Sequence, residues 1–214
     1  MPKNNNIVGL GVNMPVMINL AKRPDDVAFD IDSFDYLGIM AGAQLALIRR
    51  AGDPLTPSQR WFPIKANEGV AVGFGVVSQK LSMEVVNEHD DAGFCFVSTE
   101  GEVATQKLVL GGQILDGFLA GAHVPYLKSG DFKMIGVGDY ARHKYAPETQ
   151  SCVEQGYSAY VDLYWFMAMI AGTDPAAIAA AVAAAVKSDT VAEIVADVAS
   201  RSPLTLGPEG TKKY

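Results

Sequence analysis

The residues able to do chemistry fall in a few short stretches. His89-Asp90-Asp91 follows Asn87-Glu88 at a turn between two strand-like runs, so one loop gathers three carboxylates and an imidazole. Such a set can bind a cation or move protons. Asp and Asn also suit turn geometry for its own sake, and turn chemistry alone accounts for the cluster. Asp139-Tyr-Ala-Arg142-His143-Lys144-Tyr145 is the second stretch, an aromatic cluster of mixed charge. The remaining histidine, His123, sits among apolar neighbours (Ala122, Val124, Pro125) and reads as a packed histidine. A Ser/His/Asp or Cys/His constellation needs convergence in space that spacing along the chain does not supply. The candidate polar cluster is therefore His89, Asp90, Asp91, Arg142 and His143. No catalytic, cofactor-binding or metal set is assigned.

Two further patterns fall short of a site. Asp30-x-Asp32-x-x-Asp35 offers carboxylates for a hard cation. It lacks the glycine and terminal glutamate of a calcium-binding helix–loop–helix, so it reads as a solvated strand edge with a helix cap. Gly9-Leu-Gly11 begins like a dinucleotide fingerprint, but it lacks the third glycine and a helical pattern after it.

These residues must be held by elements, and the chain centres on Gly69–Leu115. Strand-like runs there (70–76, 81–86, 94–98 and 103–110) are separated by turn residues. Val70, Val72, Phe74 and Val76 make a bulky face; Ala71, Gly73 and Gly75 make a bare one that suits close approach of another layer. Short strands at this spacing predict an antiparallel sandwich or barrel-like core. Strands are also expected at 14–20, 27–31, 44–49, 113–119 and 132–137. The run 158–171 is a buried strand or helix. Asp174-Pro175 starts an alanine-rich helix striped by Ile178, Val182 and Val186. Thr190-x-x-Glu193 caps a second, with Val191, Ile194, Val195 and Val198 buried. The fold class is thus mainly β with a C-terminal α-helical segment (α+β), with two helices near 174–200. The domains are an N-terminal arm with a first strand (1–26), a β-rich core (27–156), a packed apolar and helical segment (157–200) and a C-terminal arm (201–214).

The 214 residues are 49% apolar and 19% charged, a globular composition, with a formal net charge of −7. An acidic chain with scattered basic pairs has no electrostatic basis for non-specific nucleic-acid binding. Residues 1–17 lack the continuous apolar core of a signal peptide, and no apolar run is long enough to span a bilayer. Cys95 lies in an apolar run and reads as a buried thiol, with pairing to Cys152 left open. The expectation is a soluble protein made in the cytoplasm, without cofactor and without membrane or nucleic-acid partners.

Acidic composition, Gly and Ala richness, short strands and arms at both ends resemble the style of small virion proteins of tailed phages, such as capsid, capsid-decoration or tail-tube subunits. The resemblance implies a non-enzymatic, self-assembling structural protein of the virion. Its partners would be copies of itself and other structural subunits. The alternatives are a small-molecule enzyme or ligand-binding β protein with a site near His89–Asp91 or Arg142–His143, and a lectin-like module displaying Trp61, Tyr126 and Tyr145.

Overall fold

The computed structural model describes residues 7–54, 71–75, 80, 84, 87–88, 94–156, 160–171, 175–198 and 208–211. The chain forms two units, Met1–Ala43 with Asp162–Tyr214, and Gln44–Val161.

The first unit holds a three-stranded sheet in the order β1-β8-β2: β1 (Val8–Val12), β8 (Leu163–Ile170) and β2 (Phe34–Ala43). β8 is antiparallel to both neighbours, with Val8 opposite Met169 and Ala43 opposite Leu163. Asn13 opens helix α1 (Asn13–Lys22) and clasps the start of β8. Its amide donates to the Asp162 carbonyl at 3.0 Å, and its carbonyl accepts from the Tyr164 N–H at 2.8 Å. Helix α4 (Ala176–Val186) follows Pro175, and its stripe of Val182 and Val186 closes a cluster with Leu37 and Met169. Burying each such side chain contributes about 1.5–3 kcal/mol. Helix α5 (Asp189–Val198) starts one residue before the expected cap. Ser188, not Thr190, receives the Val191 N–H, and Ile194 is exposed rather than buried. A short helix α6 (Pro208–Thr211) lies in what was expected to be an extended arm.

The second unit holds a five-stranded sheet in the order β5-β4-β6-β3-β7: β5 (Cys95–Ser98), β4 (Ala71–Phe74), β6 (Asp116–Leu119), β3 (Ala46–Arg50) and β7 (Phe132–Val137). β4 runs parallel to β5 and β6, while β3 is antiparallel to β6 and β7. The carboxyl ends of β4, β5, β6 and β7 therefore share one edge with the amino end of β3. Helix α2 (Glu102–Leu110) and helix α3 (Val124–Ser129) connect these strands, and the core joins Ile48, Val109, Leu119, Phe132 and Val137. Across β3 and β6, Arg49 stands opposite Asp116, and the two form a buried bidentate ion pair at 2.6 and 2.8 Å.

The fold is mixed α/β with two sheets, and neither sheet closes into a barrel. This corrects the expected antiparallel sandwich at its centre. Residues 102–110 are helix, not strand, and β4 pairs in parallel with its neighbours. The bare face of β4 is real, but its close neighbour belongs to the same unit: a Cβ at Gly73 would overlap Ile114 and Thr105, and one at Gly75 would overlap the Gly101 backbone. Residues 14–20 are helix rather than strand, and 27–31 form no strand. Of the strand expected at 81–86 only Glu84 lies among the described residues, and it is helical.

Candidate functional site

The carboxyl-end edge of the second sheet gathers the polar groups that the fold brings together. Strand β5 ends at Ser98, and the turn Thr99–Gly101 leads into α2. Thr99 ties that turn to the end of β4: its N–H and its hydroxyl both donate to the Phe74 carbonyl at 3.0 Å. Its hydroxyl also lies 2.6 Å from the Thr105 hydroxyl. Gly101 has a φ of +106°, in the region that favours glycine, which lets the chain reverse directly into the helix.

Glu102, in the first turn of α2, reaches the turn that follows β6. Its two carboxylate oxygens accept the backbone N–H of Ala120 at 2.7 Å and of Ala122 at 3.3 Å. Placing a carboxylate in a first helical turn also complements the helix dipole.

At the same edge, Gln44 precedes β3 and Asp139 follows β7. The Gln44 amide donates to Asp139 Oδ2 at 2.8 Å and to the Ala141 carbonyl at 3.2 Å. Both side chains are buried. A buried amide held by a carboxylate and a carbonyl fixes the loop that carries Arg142 and His143.

His143 is 1% exposed, and its Nε2 faces Nε2 of His123 at 3.4 Å. His143 Nδ1 accepts the Tyr145 N–H at 3.2 Å. Burial pulls His143 down to about 4; burial, helped by the neighbouring His143, pulls His123 down to about 3. Both rings are therefore neutral near pH 7. With Nδ1 of His143 accepting, its proton sits on Nε2 and is donated to His123 Nε2. The His123 proton must then sit on Nδ1, which is buried without a partner. The Gln106 amide nitrogen, one turn along α2 from Glu102, is buried without a partner as well.

The residues singled out from sequence divide accordingly. His89, Asp90 and Asp91 lie outside the described residues. Arg142 and His143 are adjacent in the chain but part in space. Arg142 is half in solvent and grips Glu154 at 2.9 and 3.0 Å, while His143 turns inward to His123. The His143 ring bonds His123 and the Tyr145 N–H, and its charge neighbour is Asp139. Tyr126 packs on Phe132, and Tyr145 carries Lys128 and Lys144 near its ring; Trp61 lies outside the described residues. Cys95 is exposed, not buried, and both cysteines are free thiols. Burial pushes the Cys152 thiol up to about 12, so it is an inert thiol at neutral pH. Among the described residues no three His, Cys, Asp or Glu side chains gather as a metal set, and no helix is long and apolar enough to cross a membrane. Sequence reasoning missed Gln44 and Glu102 altogether. The signal for Glu102 was Gly101 followed by nine residues permissive of helix, which also alternate like a strand.

In an α/β sheet the crevice outside the carboxyl ends of parallel strands is where ligands bind. Two α/β units, joined by a chain that passes from one to the other at 43–44 and back at 161–162, define a periplasmic-binding-protein-like fold. The chain belongs to the tripartite tricarboxylate transporter family receptor (TctC) family, which matches residues 9–201. The fold is similar to that of a TctC solute binding protein from Polaromonas (15% identity, 96% of this chain and 72% of that one, TM-score 0.73). It is also similar to MatC from Rhodopseudomonas palustris, solved with bound malate (18% identity, 94% and 71%, TM-score 0.74). A third similar structure is R. palustris Rpa4515, solved with adipate (14% identity, 100% and 74%, TM-score 0.79). A comparison with curated proteins finds no match.

The family overturns the virion reading. A transporter receptor is not a capsid or tail subunit, and its partners are small solutes and transporter components rather than a shell of copies of itself. The expected place of work, cytoplasm and virion, falls with it. The misleading features were the glycine-bare strand and the alanine-rich helix, which pack within the chain's own units. Of the readings weighed, ligand binding is the one the family supports, and the family is one of receptors rather than enzymes.

Proposed function

We propose that this chain is the solute-binding receptor of a tripartite carboxylate transporter, working in the periplasm and delivering a small carboxylate to the transporter's membrane components. The observation that carries the proposal is the carboxyl-end edge of the second sheet. There α2 opens behind Gly101, and the backbone N–H groups of Ala120 and Ala122 point at a carboxylate, that of Glu102. Helix openings and convergent backbone N–H groups are the groups with which α/β folds hold anions, and those of Ala120 and Ala122 hold a carboxylate of the chain itself. Malate and adipate, the acids in two similar structures, support a solute class of short acids with carboxylates at their ends.

A hollow of about 230 Å³ in the first unit, lined by Leu10, Phe34, Tyr36 and Phe166 among others, is a poorer candidate. Its walls are almost wholly apolar and offer little to orient a charged solute.

A thermal-shift panel of mono-, di- and tricarboxylates, with sugars and amino acids as controls, tests the proposal. A receptor is stabilised by at least one short acid in proportion to the logarithm of its concentration above Kd. Stabilisation by a sugar or a neutral amino acid alone would overturn the solute class.

A further inference from the structure

We propose that the turn after β6 is a carboxylate cradle which this chain fills from within. Glu102 is the resident carboxylate, and an acid from solution takes its place when the side chain is removed.

The geometry is that of a bound anion rather than of a surface ion pair. Two backbone donors, 18 and 20 residues further along the chain, converge on the two oxygens of one carboxylate, at 2.7 and 3.3 Å. Both are main-chain groups, so the donors stay in place whatever side chain stands at 102. The elements that form the cradle also carry surplus donors. His123 follows Ala122 directly, and its Nδ1 proton has no acceptor; the Gln106 amide nitrogen, four residues after Glu102, has none either. Buried donors without acceptors make a setting that favours a negative guest.

A carboxylate attached to the chain competes at an effective concentration that a free solute does not match. The native protein therefore keeps its cradle closed to small free acids. For the receptor, and resting on the reading of this edge as the one that meets solute, Glu102 occupies an anchor that a dicarboxylate would otherwise use. It thus biases the site towards acids whose remaining carboxylate is held elsewhere.

The test uses Glu102→Ala and Glu102→Gln beside the native chain, in sodium acetate or formate against sodium chloride at equal ionic strength. In chloride Glu102→Ala melts lower by about 3 °C or more. In acetate it recovers saturably, while the native chain, whose cradle is filled, melts alike in both salts and Glu102→Gln, which keeps one acceptor oxygen for two N–H donors, recovers less than Glu102→Ala. Equal melting of Glu102→Ala in both salts overturns the proposal, and so does an acetate effect of the same size on all three proteins. If Glu102→Ala does not fold in chloride, folding in acetate supports the cradle. Failure in both salts, with Glu102→Gln folded, counts against it. Acetate and formate probe the cradle whether or not malate or adipate binds, so this result and that of the solute panel are read separately.

Discussion

The Nε2 atoms of His123 and His143 face one another at 3.4 Å, in rings that are both buried. One must donate and the other accept, so the pair is stable only while both rings are neutral. Protonating His123 would put two donors face to face at Nε2, and protonating His143 at Nδ1 would set a second donor against the Tyr145 N–H.

Acid stability should report this pair. Both histidines have folded values well below the ordinary 6.5, about 3 for His123 and about 4 for His143. The unfolded chain therefore takes up protons at a higher pH than the folded one. The stabilisation is fully present above pH 6.5 and is lost as pH falls from there towards 4, by about 1.4 kcal/mol per histidine for each pH unit inside that window. Denaturant unfolding at a series of pH values checks it. Replacing both histidines with Gln should flatten the slope between pH 6 and 4.

Arg49 and Asp116 should be separable from one another only at a large loss. Their side chains are 1% and 0% exposed, and they bond in bidentate fashion across β3 and β6. Arg49→Met or Asp116→Asn leaves one partner buried without its counter-charge, which costs about 3–5 kcal/mol. Replacing both with apolar residues of similar size should lose markedly less than the two single losses added together. Urea unfolding of the four proteins measures the difference.

Gly73 should resist enlargement. A Cβ there would meet Ile114 and Thr105, side chains that pack between β4 and α2. Gly73→Val should destabilise by about 1–3 kcal/mol or more, as overpacking does in a tight core. Gly52, with nothing within 4 Å of an added Cβ, is the matched control and should tolerate Ala with little change.

The two cysteines should label unequally. Cys95 is exposed, whereas Cys152 is buried with its thiol held up near 12. A thiol reagent at pH 8 should modify one cysteine in the folded protein and two in denaturant, and mass mapping should find the first label on Cys95.

Strand β7 was legible because a turn at Lys128–Asp131, with Gly130 at a φ of +82°, delimits an apolar run. The stripe Ile178, Val182 and Val186 was legible for a similar reason: spacing by four in an alanine-rich run has one helical reading. EVATQKLVL was misread because alternation by two and a helical face are both satisfied by its residues, and its packing on Gly73 and Gly117 decided the matter. The parallel pairing of β4 left no local trace, since parallel partners are set by distant connections. The site was hidden for the same reason. Gln44 meets Asp139 across 95 positions, and Glu102 meets Ala120 across 18, contacts that exist only once the sheet is assembled.

A receptor of this family should take up a short carboxylate solute. Isothermal titration of the purified chain with malate and with adipate tests it most directly. Saturable heat with one solute per chain is expected for at least one acid of this class. Flat titrations with malate, adipate and the wider set of short mono-, di- and tricarboxylates, from a chain shown to be folded by its cooperative melt, would contradict it.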